Sequence, residues 1–245
     1  MGSFLTAEWR KLAMANYKVD PEILANYVPP GTELDLWNGT CYVSLVGFMF
    51  VHTKLLGLPI PFHTDFEEVN LRFYVRYNDG IRSKRGVVFI KEIVPKPALT
   101  LVANTIYKEH YETLQMEHEW IEDGSKTEIA YRWKKEGKWN TLRVEAEPNQ
   151  VAIAPGSEAE FITEHYWGYS KAADDRTFEY EVTHPRWDHY PVRQFQIDVD
   201  FGAVYGSEFA FLSKRQPTSV MLAEGSKITV ENKNEIAVTS KPETN

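Results

Sequence analysis

Polar and apolar side chains alternate along residues 68–77. A β-strand carries alternate side chains on opposite faces, so Glu68, Asn70, Arg72 and Tyr74 would share one face at a spacing of ~6.5 Å. A guanidinium beside a carboxyl group and an amide could hold a carboxylate or an enolate and transfer a proton to it. Two interpretations stay open: a solvent-exposed face on which Glu68 and Arg72 pair loosely, or the lining of a pocket.

A second group of candidate residues lies between residues 107 and 111. Tyr107, His110 and Tyr111 could act as an acid, a base or hydrogen-bond donors, and histidine titrates near neutral pH. The alternative is an aromatic cluster that covers one end of a sheet. The candidate site therefore has two catalytic residues, Glu68 and His110, and five ligand-binding residues: Asn70, Arg72, Tyr74, Tyr107 and Tyr111.

Several other chemistries lack their sequence patterns. The chain has no Gly-rich phosphate loop, no dinucleotide fingerprint and no Gly-x-Ser-x-Gly motif. Cys41 is the single cysteine, which excludes an internal disulfide and a thiolate-rich metal site. His184 and His189 flank Asp188, but this spacing matches no zinc pattern. We predict no cofactor and no metal.

The charge balance restricts the partners. The 245 residues carry a net charge of -8, so no overall positive field would attract nucleic acid or an anionic membrane. Glu8, Arg10, Lys11 and Lys18 interrupt the apolar positions near the start, and no later stretch reaches the ~20 apolar residues of a membrane span. We expect a cytoplasmic protein with a small-molecule ligand. A homodimer stays open.

Most elements that must position these residues have the pattern of β-strands. β-branched and aromatic residues fill 40–50, and further strands are predicted at 68–77, 86–94, 177–183, 219–223 and 227–230, with a three-stranded meander over 114–146. Short helices are predicted after Asp20-Pro21 and after Ser157, where Glu160 completes a capping box. The sequence predicts a mainly β, or β-rich α+β, fold: an antiparallel conical barrel or sandwich. We expect a single domain over residues 1–245, with a frayed tail from about residue 237.

Four segments together resemble one family. They are residues 9–48, the stretch 66–76 followed by Gly86-Val87-Val88-Phe89, the segment 155–166, and His184-Pro185-Arg186-Trp187. Their content and order are similar to those of the YqjF-like family of uncharacterised bacterial proteins. That family is grouped with the acetoacetate decarboxylase-like superfamily, which implies a conical β-barrel around a small-molecule pocket. The resemblance also favours the pocket interpretation of Glu68, Asn70 and Arg72, because the family pattern includes these polar residues.

The resemblance does not extend to the catalytic lysine of acetoacetate decarboxylase. That enzyme forms a Schiff base through a lysine with a lowered pKa. When its catalytic segment is laid along residues 103–112, Tyr111 falls at the expected lysine and Glu112 at the lysine that follows. We therefore predict that the protein binds a small organic acid, a keto or enol acid, in the barrel. The alternatives are a lyase or isomerase that acts without a Schiff base, or a non-catalytic sensor or structural protein.

Overall fold

The computed structural model of the protein describes residues 3–237. Its strands, in chain order, are β1 (Leu5–Val19), β2 (Glu33–Leu34), β3 (Cys41–Leu55), β4 (Leu58–Pro59), β5 (Phe66–Asn78), β6 (Ser83–Val94), β7 (Tyr111–Thr113), β8 (Gln115–Glu122), β9 (Thr127–Lys135), β10 (Lys138–Ala146), β11 (Val151–Ala152), β12 (Trp167–Ala173), β13 (Arg176–Thr183), β14 (Asp188–Tyr190), β15 (Val192–Asp198), β16 (Ser219–Val230) and β17 (Asn234–Ala237). Its α-helices are α1 (Pro97–Ile106), α2 (Glu158–Thr163) and α3 (Phe201–Tyr205), and its 3-10 segments are Pro21–Leu24 and Ser207–Lys214.

The larger sheet curls into a barrel-like ring. Its strand order runs β16-β1-β3-β5-β6-β12-β13, and β13 pairs again with β16. The closure is uneven, because β13 and β16 pair only through Val182 with Val230 and Thr183 with Thr229. Neighbouring strands are antiparallel except for β6 and β12, which pair in parallel. The predicted mainly β, barrel-like fold is confirmed.

A second, four-stranded sheet covers the outside of this ring. Its order is β15-β10-β9-β8, and β8 to β10 form the predicted antiparallel meander. Tyr131 and Trp133 of this sheet belong to the same buried apolar cluster as Val69 and Leu71 of β5. A Cβ added at Gly47 of β3 would lie 2.7 Å from Cδ2 of Tyr131, so the tyrosine packs where only glycine leaves room. The apolar face of β5 is therefore buried on the outer side of the ring.

Both predicted helical segments begin at the residues that the sequence predicted. Asp20 caps the first segment by accepting a hydrogen bond from the Glu22 amide, but the segment is a single 3-10 turn. Ser157 caps α2 by accepting from the Glu160 amide, as the capping box predicts. Sequence reasoning missed α1 and α3.

Two strands were missed near the ends of the chain. β1 was missed because Arg10 and Lys11 interrupt its apolar pattern. The strand accommodates them at an irregularity in which Lys11 has a φ of 54°. β17, which pairs with β13 just before the predicted tail, was also missed. The rest of the predicted frayed tail, residues 238–245, lies outside the described residues. No helix within residues 3–237 is long and apolar enough to cross a bilayer.

Candidate functional site

The polar face of β5 points into the ring. Glu68, Asn70 and Arg72 are 2%, 1% and 8% exposed, although they are the polar half of an alternating strand. Their burial follows from the position of the second sheet. That sheet packs against the apolar face of β5, so the polar face of β5 points toward the interior of the ring. The bulge opposite Leu71 and Arg72 shifts the register with β6, so that Arg72 lies across from Phe89.

These three residues line a cavity of about 250 Å³, which we call the inner cavity. Most of its wall is apolar and aromatic. The apolar side chains include Trp9, Leu12, Phe48, Phe50, Phe66, Val87, Phe89, Leu99, Val102, Trp167, Val182 and Trp187. The polar side chains are Thr53, His63, Glu68, Asn70, Arg72, Glu92, Tyr107, Glu109, Tyr111, Thr163, His165, Tyr180 and His184. A mainly apolar cavity with a few converging polar groups is the usual form of a small-molecule site.

Three carboxyl groups meet at one end of the inner cavity. Glu92 on β6 pairs directly across from Asn70, and Asn70 Nδ2 donates to Glu68 Oε1 at 2.9 Å. The Tyr111 hydroxyl donates to Glu68 Oε2 at 3.2 Å. Glu109, in the loop before β7, accepts from the Tyr180 hydroxyl at 3.0 Å. We call Glu68, Glu92 and Glu109 the acid cluster.

Burial raises the pKa of every member of the acid cluster. The pKa of Glu68 rises to about 7, against the opposing effects of the Asn70 and Tyr111 hydrogen bonds and the Arg72 charge. The pKa of Glu109 rises to about 8. For Glu92 the pKa lies well above its ordinary value, because the carboxylates of Glu109 and Glu68 add to the cost of burial. The cluster therefore keeps protons at neutral pH and can donate or accept them there.

Arg72 lies beside the acid cluster without pairing to it. Its Nε has no hydrogen-bond partner among residues 3–237, and one terminal nitrogen contacts only the sulfur of Met14, at 4.0 Å. The guanidinium lies 5.8 Å from the centre of the Tyr74 ring. A buried cation normally has an anionic partner. Arg72 thus leaves donors free for a negatively charged group in the inner cavity.

A histidine also contacts the Tyr74 ring. The His165 ring is 4.6 Å from the Tyr74 ring, and its Nε2 is 3.1 Å from Oδ2 of Asp35. The same oxygen accepts from Arg85 Nε at 2.6 Å. Burial lowers the pKa of His165 to about 4, against the effect of Asp35. The imidazole is therefore neutral near pH 7.

The structure brings most of the sequence-predicted residues together. Tyr107 and Tyr111 line the inner cavity with Glu68, Asn70 and Arg72. Tyr74 is buried and does not line the cavity. Its hydroxyl lies 2.7 Å from Ser44 Oγ, and its ring contacts the guanidinium of Arg72. His110 is exposed and does not line the cavity, so its predicted position was wrong.

The groups that sequence reasoning missed come from distant segments. In the loop that follows α1, Glu109 is buried and lines the cavity, which is the position predicted for its neighbour His110. Glu92 had a usable signal: together with Lys91 it interrupts the apolar strand pattern of residues 86–94. Tyr180 had no such signal, since its neighbours in space are far away in sequence, and His165 had only its place in the segment 155–166 that resembles the family.

The inner cavity holds no lysine in the part of the chain that the structure describes. Tyr111 lies at the position where the resemblance would put the Schiff-base lysine, and its hydroxyl is bonded to Glu68. Burial keeps the pKa of Tyr111 well above its ordinary value, so it acts as a neutral donor. Between residues 3 and 237, no three His, Cys, Asp or Glu side chains, those of the acid cluster included, are arranged to hold a metal ion.

The sequence comparisons agree with this geometry. The profile of the DUF2071 family, described as an uncharacterised conserved protein, matches residues 6–227. The chain belongs to the DUF2071 family. A curated relative, the uncharacterised protein YqjF of Bacillus subtilis (strain 168), is 33% identical over 112 residues. That match covers 45% of this chain and 45% of YqjF, which is about half the length of the relative.

Solved structures give the fold of this DUF2071 protein. Acetoacetate decarboxylase from Legionella pneumophila superposes with a TM-score of 0.67 at 13% identity, covering 96% of this chain and 88% of that one. The enduracididine biosynthesis enzyme MppR complexed with pyruvate has a TM-score of 0.65 at 10% identity, with coverages of 98% and 93%. An acetoacetate decarboxylase-like enzyme from Sphingomonas wittichii RW1 has a TM-score of 0.63 at 10% identity, with coverages of 98% and 95%. The fold is acetoacetate decarboxylase-like.

Proposed function

We propose that the inner cavity binds a small organic acid and that the carboxylate of the ligand pairs with Arg72. One observation carries this proposal: Arg72 is buried against an apolar cavity, and within the described chain it has neither a paired carboxylate nor a partner for Nε. A ligand carboxylate would supply the missing charge and accept two parallel hydrogen bonds. The fold neighbour complexed with pyruvate makes keto acids the first ligands to test.

The binding test compares two arginines on the same strand. Calorimetric titration with pyruvate, acetoacetate and phenylpropionate should give measurable affinity for at least one of these acids. Arg72→Met should weaken that affinity ~30-fold or more, because a buried charge pair is lost. Arg76→Met is the matched control, since Arg76 is exposed on β5 and pairs with Glu33 on the surface. Equal affinity in the wild type and in Arg72→Met would refute the carboxylate site.

A second candidate function, proton transfer at the bound acid, is favoured by the acid cluster. Glu68 has a pKa of about 7 and shares the cavity with Arg72, so it could exchange a proton with carbon next to a keto group. This is a lyase or isomerase chemistry that needs no Schiff base. Arg72 would stabilise the enolate that forms.

Hydrogen exchange separates catalysis from binding alone. In deuterated water, proton NMR should show the methyl signal of pyruvate decaying faster with the protein than without it. Glu68→Gln should remove the acceleration, whereas Glu119→Gln, an exposed position on β8, should retain it. Binding without any accelerated exchange would favour a ligand sensor over an enzyme.

A further inference from the structure

The Asp35–His165 pair, which the proposed function leaves unused, has a defined hydrogen-bonding polarity. Against the cost of burial, the hydrogen bonds from His165 and Arg85 and the charge of Arg85 lower the pKa of Asp35. The carboxylate is therefore ionised and can only accept hydrogen bonds. Nε2 of His165 must therefore carry the hydrogen that points to Asp35. The other ring nitrogen, Nδ1, is left as an acceptor with a free lone pair.

That acceptor is buried and unsatisfied. Nδ1 of His165 has no hydrogen-bond partner within residues 3–237, and the residue is 7% exposed while lining the inner cavity. The ring cannot easily turn to find a partner, because the Phe161 ring packs edge-on against it at 5.1 Å and the Tyr74 ring lies at 4.6 Å. A buried acceptor without a donor costs free energy, which a ligand donor would recover.

Backbone hydrogen bonds hold this pair beside Arg72. The Asp35 amide donates to the Tyr74 carbonyl at 2.9 Å, and the Tyr166 amide donates to the Arg85 carbonyl at 3.1 Å. The Arg72 guanidinium and the His165 ring each lie within 5.8 Å of the centre of the Tyr74 ring. Arg72 and His165 both line the inner cavity, and the Arg72 charge acts on the His165 ring, so one ligand in this cavity can contact both residues.

The local charge selects the kind of donor. Arg85 and Arg72 both disfavour positive charge at His165, which also lies in an apolar setting. An ammonium group next to the carboxylate would meet this repulsion, whereas a hydroxyl or enol group offers a donor without a charge.

We propose that His165 Nδ1 accepts a hydrogen bond from a hydroxyl or enol group of the ligand, so that the inner cavity selects α-hydroxy acids and the enol forms of α-keto acids. This inference rests on the proposed carboxylate site at Arg72. It names the substrate class of that site and gives His165 a direct contact with the ligand.

The test uses acids that differ at one group. Phenyllactate carries the hydroxyl, phenylpropionate lacks it, and phenylalanine has an ammonium in its place; the aromatic ring suits the aromatic wall. Phenyllactate should bind the wild-type protein about tenfold more tightly than phenylpropionate, and phenylalanine should bind more weakly than both. His165→Leu, which has no acceptor, should remove the preference, while His189→Leu, at a half-buried histidine outside the cavity lining, should keep it.

A measurement on the wild-type protein covers the case in which His165→Leu does not fold. In nitrogen NMR of protein labelled at histidine, the Nδ1 resonance of His165 should move when phenyllactate binds and stay unchanged with phenylpropionate. Equal affinities and no shift, with Arg72→Met still weakening both acids, would overturn this inference and leave the proposed function standing. If no acid binds, or if Arg72→Met changes nothing, the proposed function fails and this inference fails with it.

Discussion

The raised pKa of Glu109 makes an unusual prediction: replacing this buried acid should stabilise the protein at high pH. Burial moves the Glu109 pKa from its ordinary 4.5 to about 8. The folded protein then binds more protons than the unfolded chain between those values, so the free energy of unfolding falls as pH rises through that window. Within that window, each pH unit changes the free energy of unfolding by about 1.4 kcal/mol. Between about pH 5 and about pH 8, the contribution of Glu109 to the free energy of unfolding should therefore fall by roughly 3 kcal/mol.

Glu109→Gln removes the ionisation and keeps an oxygen for the Tyr180 hydroxyl. Urea unfolding followed by the fluorescence of the 7 tryptophans would give the free energies. Near pH 5 the variant and the wild type should agree within ~1 kcal/mol, and near pH 8 the variant should be more stable by roughly 3 kcal/mol. Glu119→Gln, on the exposed surface of β8, is the control and should show no such divergence. A wild-type-to-variant difference that is the same at both pH values would refute the argument that burial keeps Glu109 protonated.

Three further experiments test other parts of the structure. Gly168→Ala should lower the free energy of unfolding by about 1 to 3 kcal/mol, because the added Cβ would lie 2.1 Å from Cζ of Tyr180; an unchanged melting temperature would contradict this close packing. Lys11→Met should cost roughly 2 kcal/mol in urea unfolding, because the buried ammonium bonds to Glu224 and Tyr190, each at 2.8 Å; a neutral result would mean that these bonds contribute nothing net. Borohydride treatment with pyruvate should add no mass to the protein, since no lysine among residues 3–237 lines the cavity; a covalent adduct detected by mass spectrometry would contradict the absence of Schiff-base chemistry.

The local patterns were sufficient for the strands of eight or more residues, except β1, and for the starts of two helical segments. The alternation in β5, the turns of the β8 to β10 meander and the capping box at Ser157 are properties of a few consecutive residues, so they could be predicted from the chain. β1 and α1 escaped this reasoning. In β1 the charges of Arg10 and Lys11 break the apolar pattern. The α1 segment is apolar over most of its length, with Leu99 and Val102 at the inner cavity, but it was not recognised as a helix from the sequence.

The sequence alone determined that Glu68, Asn70 and Arg72 share one face of a strand, because a strand alternates its side chains with a period of two. It could not determine where that face points. Only the tertiary structure decided this, by placing the meander sheet on the apolar face of β5 and turning the polar face toward the inner cavity. The same holds for Glu92, Glu109, His165 and Tyr180, which line one cavity because strand pairing over long chain distances brings their segments together. Local patterns carry no information about such pairing.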